Sequence, residues 1–381
     1  GNGVAKDIVQ ASSWWRKAAE QGHADAQNNL ATCYADGIGL NRDLAQAAFW
    51  YQMAAEQGHA IAQNTLGSCY ADGNGVPEDH VQAVLWFRRA SELGNSFAQC
   101  NLGNCYSKGR GVPKDDSLAV FWWEKAAVQG DATAQFNLAS SYANGIGPVK
   151  DQAQGVYLYK KLAEQGNADA QNSLGSCYDS GLGVPIDHLE AAKWYRKAAE
   201  QGNPMAQSNL GICYANGKGV DKDPVQAAFW YRKAAEQGNA EAQCGLGTCY
   251  DSGIGVTKDV VEAAVWYHKA AKQGLARAQN TLGLCYINGK GVPQSPHQAA
   301  YWFREAARRG DSQALCNLGV CYSNGLGVVK DLIEAFACYK LTESSNELAR
   351  RNLSILEPML SPDQITLGNQ RTISLQSEIG A

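Results

Sequence analysis

The chain has 381 residues, of which 45% are hydrophobic, with 33 basic and 37 acidic side chains giving a net charge of −4. That balance creates no long-range field for phosphate backbones or anionic membrane surfaces and argues against a nucleic-acid partner. No apolar run approaches the ~20 residues of a membrane-spanning helix, and no signal peptide opens the chain.

Gly1, Asn2, Gly3 and Val4 match Gly217, Lys218, Gly219 and Val220, a turn that elsewhere follows a helix. A first helix B is expected from Ile8 to Gln21, with Trp14 and Trp15 on it and its preceding helix A missing. Either upstream sequence is removed or the start marks where order begins. An uncovered end of this kind leaves apolar surface for self-association.

From there one layout returns every 36 residues, with its closing glycine at Gly22, Gly58, Gly94, Gly130, Gly166, Gly202, Gly238, Gly274 and Gly310. A fixed period of this length marks a solenoid array with a linear core rather than two or three globular domains. In the unit from Pro204 to Asn239, apolar residues fall at helical spacing in two runs. Helix A (Pro204 to Ala215) places Ala206, Leu210, Cys213 and Tyr214 on a packing stripe. Met205, Ser208, Asn209, Ile212 and Asn216 fall on the outward side. Helix B (Pro224 to Gln237) starts after Asp223 as N-cap with proline at its first position, and packs through Ala227, Tyr231, Ala234 and Ala235. Gly238 ends it. Nine A helices are expected to begin near Ala24, Ala60, Ser96, Ala132, Ala168, Pro204, Ala240, Ala276 and Ser312.

One unit departs from the pattern. It has Ser141 for cysteine, Pro148 for valine or leucine, Gly155 for the packing alanine and Leu158 for tryptophan. The missing indole volume and a mid-helix glycine predict looser packing between repeats there, unless Tyr157 and Leu162 compensate. After the ninth pair, with Cys338 and Thr342 replacing tryptophan and alanine, an A-like helix from about Glu347 to Glu357 carries Ala349, Leu353 and Leu356. Pro358 stops it. Ser361, Pro362 and Gln364 then form a capping box that starts a last helix, whose Asn369, Gln370, Arg371 and Gln376 suit a cap facing water. The organisation is thus a partial repeat over 1–23, nine repeats over 24–345 and a C-terminal cap over 346–381.

The layout A-x-A-Q-x-x-L-G-x-C-Y-x-x-G-x-G-V, then D-x-x-x-A-x-x-W-Y, then A-A-x-x-G, resembles the Sel1-like repeat family, relatives of the tetratricopeptide repeat, over nearly the whole chain. The resemblance implies an all-α fold, an α/α superhelical solenoid whose A helices line the concave surface and hold other proteins. The run from Met359 to Ile365 is similar to tails of bacterial members.

Chemical motifs are absorbed by this framework. The Gly-x-Gly pairs, such as Gly37 with Gly39, recur in every repeat without a preceding strand and read as turns, not phosphate loops. Asp43, Asp79, Asp115, Asp151, Asp187, Asp223, Asp259 and Asp331 read as caps. The family has a disulfide-bonded branch, but here Cys33 and its equivalents occupy one position of successive A helices, ~8–10 Å or more apart, beyond disulfide reach. Only Cys321 with Cys338 is placed to pair. Buried thiols favour a reducing compartment, the cytoplasm, or the periplasm or exterior if a leader is removed. No CxxC occurs and the six histidines are scattered, so no catalytic, metal-binding or cofactor-binding residue is indicated.

The outward stripe of helix A carries the candidate partner-binding residues. Asn29, Asn101, Asn137, Asn209 and Asn317 share one position, suited to the backbone of an extended peptide as in tetratricopeptide domains, with Thr65, Ser173, Gly245 and Thr281 replacing them elsewhere. Ile61, Phe97, Phe136, Met205, Ile212, Leu284 and Val320 lie beside them, and Phe97 with Phe136 is expected to form one hydrophobic anchor pocket. The favoured function is a non-enzymatic scaffold for a peptide or protein in the concave groove. Self-assembly through the N-terminal end is the alternative, and a cell-wall or β-lactam hydrolase, as suggested for some relatives, lacks any clustered acid, base or nucleophile.

Overall fold

The structure, a computed structural model, describes residues 7–147 and 150–379. Among these residues there are 21 α-helices, one 3-10 turn and no strand. The A helices are Ala24–Asp36, Ala60–Asp72, Ser96–Lys108, Ala132–Asn144, Ala168–Ser180, Pro204–Asn216, Ala240–Ser252, Ala276–Asn288 and Ser312–Asn324. The B helices are Ile8–Glu20, Leu44–Glu56, His80–Glu92, Asp116–Val128, Gln152–Glu164, His188–Glu200, Pro224–Glu236, Val260–Lys272, Pro296–Arg308 and Leu332–Thr342. Every expected start of an A helix is met. The result is a solenoid of helical repeats, whose contacts group into two compact units divided between Ile186 and Asp187. The turn residues Gly1 to Val4 and Pro148 lie outside the described residues.

Each boundary has a local cause. Asp223 accepts the backbone N–H of Val225 and Gln226 at 2.9 and 3.0 Å, and Asp43, Asp115 and Asp259 cap their helices the same way. The residue after the closing glycine, unremarked in the sequence pattern, caps helix A in most repeats: Asn203 and Asn239 accept from Ala206 and Ala242 at 2.9 and 2.8 Å, whereas His23 and Leu275 make no such bond. Gly217 ends helix A in the left-handed region at φ 71°, where a Cβ is strained. The second glycine of each pair has a further duty. At Gly255 a Cβ would fall inside the carbonyl oxygen of Pro224, thirty-one residues back, so the turn rests directly on the first residue of the preceding helix B.

The core follows the two predicted stripes. Ala227, Ala228, Tyr231, Ala234 and Ala235 of one helix B bury against Ala242, Leu246 and Cys249 of the next helix A, with Trp266 of the following helix B closing the gap. The alanines hold the helices close and the aromatic rings fill what remains. All twelve cysteines, Cys321 and Cys338 included, are free thiols. The outward side of helix A is narrower than its sequence suggested, because Ser208 is buried.

A buried glutamine ladder joins successive repeats. The A-x-A-Q glutamine of helix A donates through Nε2 to a carbonyl at the end of the preceding helix B, Gln207 to Ala199 at 3.1 Å and Gln63 to Ala55 at 3.0 Å. Its own Oε1 then accepts from the glutamine ending the next helix B, Gln237 onto Gln207 and Gln129 onto Gln99, both at 2.8 Å. Leu93 and Arg309 stand where two of those donors belong, and the Oε1 atoms of Gln63 and Gln279 are buried without a partner. An orphaned buried acceptor costs about 1–3 kcal/mol. Leu93→Gln should therefore raise the urea midpoint, by about 1 kcal/mol in stability. An unchanged midpoint would show that water already serves Gln63.

The irregular unit is loosened at one place and tightened at another. A Cβ on Gly147 would lie 3.4 Å from the Asp116 carbonyl oxygen, whereas a Cβ on Gly111 or Gly75 would overlap the matching oxygen outright. Gly147 stands off the backbone carbonyl and lies against the Val120 side chain instead, where a Cβ would be 2.9 Å from Cγ2. Inside the unit the opposite holds: a Cβ on Gly155 would sit 2.7 Å from the Ala143 nitrogen and 2.8 Å from the Ala139 oxygen. Ala139 stands where most A helices have glycine and Gly155 where the B helices have alanine. The small residue has changed sides, so the glycine serves close packing. Leu162 is buried and fills volume as expected, while Tyr157 faces solvent at 60% exposure and compensates nothing.

Beyond the ninth pair, Glu347–Leu356 buries Ala349, Leu353 and Leu356, and one 3-10 turn, Glu357–Met359, follows at Pro358. Pro362–Glu378 then starts from the full Ser361–Gln364 capping box. Arg371, expected to face water, is instead partly buried between Glu334 at 2.6 Å and Glu378 at 2.5 Å.

Candidate functional site

The outward face of helix A carries the predicted residues in two states. Ile61, Phe97 and Met205 are well exposed, Phe97 at 65%, and Ile212 and Leu284 are exposed at their edges. Phe136 and Val320 are half-buried. Val320 packs against the C-terminal core, and the Phe136 ring lies 5.5 Å from that of Tyr159. Among the described residues no ring contact joins Phe97 to Phe136.

The asparagine row works first within the chain. Asn101 donates through Nδ2 to Asn64 Oδ1 at 3.0 Å, Asn137 to Asn104 at 2.9 Å and Asn317 to Asn280 at 2.9 Å. Each amide spends one N–H on the preceding helix A and keeps a second. Asn29 and Asn209 hold the same half-buried position.

The row is interrupted at Gly245, and there a cavity opens. It has a volume of about 450 Å³ and is bounded by three A helices: Ile212 and Asn216 on the first, Glu241, Cys244 and Thr248 on the second, Arg277 and Thr281 on the third. Tyr231, Pro224 and Ala227 of helix B form its floor, with Lys222 and Ile254 at the turns. The matching place in the first unit, lined by Ser68, Phe87, Asn101 and Asn104, holds only about 200 Å³. Asn101 occupies there what Gly245 leaves open. A Cβ on Gly245 would already stand 3.1 Å from the Tyr231 ring. A wider recess of about 870 Å³ near His297 is shallow, and its polar groups are already used: Arg304 donates to the Tyr322 hydroxyl at 3.2 Å and His297 Nδ1 lies 3.0 Å from the Gly327 oxygen.

Charge at the Gly245 cavity is simple. Arg277 Nη2 donates to Glu241 Oε2 at 2.7 Å, leaving further guanidinium N–H groups. Lys222 has no ion-pair partner among the described residues. Burial raises the Cys244 thiol above its ordinary value against the opposing pull of Arg277, and burial raises the Tyr231 phenol as well. Both are neutral near pH 7, so the charged lining is Lys222 and the Arg277–Glu241 pair, with Asp221 and Asp223 on either side of Lys222 in the turn. Thr248 donates to the Cys244 carbonyl at 3.0 Å and accepts from the Tyr267 hydroxyl at 3.3 Å. An apolar floor under a few fixed polar groups is the usual makeup of a ligand pocket.

Of the sequence candidates only Ile212 lines this cavity. Tyr231, Thr248 and Arg277 were missed. The available signal was Gly245, the single glycine in the asparagine row. Among the described residues no group of three His, Cys, Asp or Glu side chains is placed to hold a metal ion, and no helix is long and apolar enough to cross a membrane.

The Sel1 repeat model matches residues 1–23, 24–59, 60–95, 96–131, 132–167, 168–203, 204–239, 240–275, 276–311 and 312–342. The chain is similar to c5321, a protective antigen of uropathogenic Escherichia coli strains displaying an SLR fold, with 38% identity and a TM-score of 0.79 over 99% of this chain and 81% of that one. It is also similar to a Sel1 repeat protein from Oxalobacter formigenes, with 34% identity and a TM-score of 0.59 over 80% of this chain and 89% of that one. No curated protein matches it significantly. Repeat by repeat and along nearly its whole length, the chain belongs to the Sel1 repeat family.

Proposed function

We propose that the chain is a non-enzymatic scaffold that binds a peptide or protein across its helix-A face. Arrays of this family in general mediate protein–protein interactions. The observation that carries the proposal is the cavity at Gly245, an apolar floor on the face where the repeats differ most from one another. Ile61, Phe97, Met205, Ile212 and Leu284 supply exposed apolar area on the outward sides of their own A helices. Asn101 and Asn137 each keep one amide N–H for an extended backbone, and Asn209 holds the same position. The anchor is assigned to Gly245 in preference to the Phe97 and Phe136 pair.

A pull-down from the native source, read by mass spectrometry, tests this. Parent chain should retain a partner that Gly245→Asn loses while melting as the parent does, and Phe97→Ala with Phe136→Ala should weaken capture less. A partner held equally by all three would remove the helix-A face from consideration. Self-association is the second proposal, favoured by Trp14, which is 61% exposed on the first helix B. It requires light scattering that grows with concentration and falls with Trp14→Glu.

A further inference from the structure

We infer that Asn74 is a self-modification site, where cyclisation onto Gly75 releases ammonia and lengthens the main chain at a joint between repeats.

Asparagine followed by glycine occurs six times, at Asn2, Asn74, Asn144, Asn216, Asn288 and Asn324, and Asn2 lies outside the described residues. Glycine has no Cβ to shield its nitrogen from the side-chain carbonyl before it, so this pair is the one most prone to ring closure. The fold divides the five described pairs four to one. Asn144, Asn216, Asn288 and Asn324 end their A helices, and the glycine N–H after each donates back into the helix, to the carbonyls of Ser141, Cys213, Cys285 and Cys321. Three side-chain amides are tied down as well: Asn144, Asn288 and Asn324 donate to the carbonyls of Ser140, Leu284 and Val320 at 2.9, 3.0 and 2.9 Å. Attack at these places requires a hydrogen bond to break and a helix end to open.

Asn74 sits two residues further on, past the helix-ending Gly73. The same position elsewhere carries isoleucine, leucine, arginine or lysine, never asparagine. Its side chain is exposed. Its own N–H donates to the Cys69 carbonyl at 2.9 Å, whereas the Gly75 N–H has no hydrogen-bond partner among the described residues. The nucleophile carries no competing bond and the electrophile is open to solvent.

Solvent hydroxide takes the Gly75 amide proton, the nitrogen bonds to Asn74 Cγ, and the Cγ–Nδ2 bond breaks as ammonia leaves. Water then opens the five-membered imide. Cleavage of the new bond gives aspartate on an unaltered chain, and cleavage of the original peptide bond gives isoaspartate, whose main chain is one carbon longer. One amide and one water become one carboxylate and one ammonium, with no change of oxidation state. The extra carbon falls at a tight place. A Cβ on Gly75 would overlap the Leu44 carbonyl oxygen, so the turn rests on the start of helix B Leu44–Glu56 without space for an added atom.

The test incubates the full chain at about pH 8, below the range in which its buried thiols ionise, both folded and in urea, and follows the five pairs by peptide mass mapping. In the folded chain Asn74 should convert at least about tenfold faster than any of the other four, as one held hydrogen bond and a closed helix end require. In urea, where the residue pair alone decides, the five should converge. Any helical pair keeping pace with Asn74 in the folded chain would overturn the inference. Purified isoaspartate chain should melt below the parent and lose amide protection at the start of Leu44–Glu56. Fresh Asn74→Asp, which adds the charge without the carbon, should melt with the parent, and Asn74→Ile, the residue of three other repeats, should show no early mass gain. A fall in Asn74→Asp as large as that of the isoaspartate chain would assign the damage to charge and overturn the lengthened joint.

Discussion

Gly255→Ala should destabilise the array by about 3 kcal/mol, roughly twice as much as Gly238→Ala. Both glycines lie at positive φ, 75° and 91°, so alanine at either suffers the left-handed penalty of about 1–2 kcal/mol. Only at Gly255 does the new methyl also strike a fixed atom, the Pro224 carbonyl oxygen, while around Gly238 nothing lies within 4 Å. Overpacking of this kind costs about 1–3 kcal/mol, and the atom struck is backbone at the start of a capped helix, which has nowhere to turn. Because a repeat array need not unfold in one step, amide exchange across Pro224–Glu236 should be followed beside the thermal midpoint. Protection lost there in Gly255→Ala and kept in Gly238→Ala is the expected result. Equal effects would show that the turn yields and that its contact with the preceding repeat is incidental.

Alkaline pH should weaken the fold through the cysteines. Burial pushes the thiols of Cys69, Cys177, Cys285, Cys316 and Cys321 up to about 11, and that of Cys100 up to about 12. In the unfolded chain each ionises near its ordinary value of 9.0. A group raised on folding contributes stability that is complete below the unfolded pKa and lost as pH climbs through the folded one. The window therefore runs from about pH 9 to about pH 11, with on the order of 2 kcal/mol for each thiol. The thermal midpoint should hold to about pH 8 and then fall steeply, with thiolate absorbance appearing together with unfolding. A midpoint flat to about pH 11, or thiolate signal from a chain still folded, would contradict the assignment of these cysteines to the core.

Most of the architecture was legible in the residues because its causes are local. Asp223 before Pro224 and Gly217 after Asn216 mark helix ends through contacts a few residues long, and repetition removed ambiguity. The glutamine ladder was half visible, as pairs such as Gln207 with Gln237 recur at one offset, but that they meet depends on how a helix A seats against two helices B. The change of sides between Ala139 and Gly155 was hidden for the same reason: each looks like a defect until the facing helix is known. At the candidate site, exposure was read correctly for Phe97 and Met205, where the outward side of one helix decides it. It was misread for Ser208, which is buried, and packing was underestimated for Phe136, whose ring meets Tyr159 of its own helix B, and for Val320, which the C-terminal helices cover. The cavity itself was the least legible feature. A hole belongs to no residue, and Gly245 becomes one only because Tyr231 lies beneath it and Arg277 stands opposite.

The contact between Gly255 and the Pro224 carbonyl has its counterpart at Gly75 with Leu44, Gly219 with His188 and Gly291 with Val260, always across the same stretch of chain. Gain or loss of one residue between two such partners would put a side chain or an unmatched carbonyl at the joint. Gain or loss of 36 residues would bring an identical joint back into place. Such a gene can therefore be lengthened or trimmed by recombination between its own copies without any new chemistry at the seam, and a partner surface can be enlarged by duplication while single positions such as Gly245 diverge within a copy.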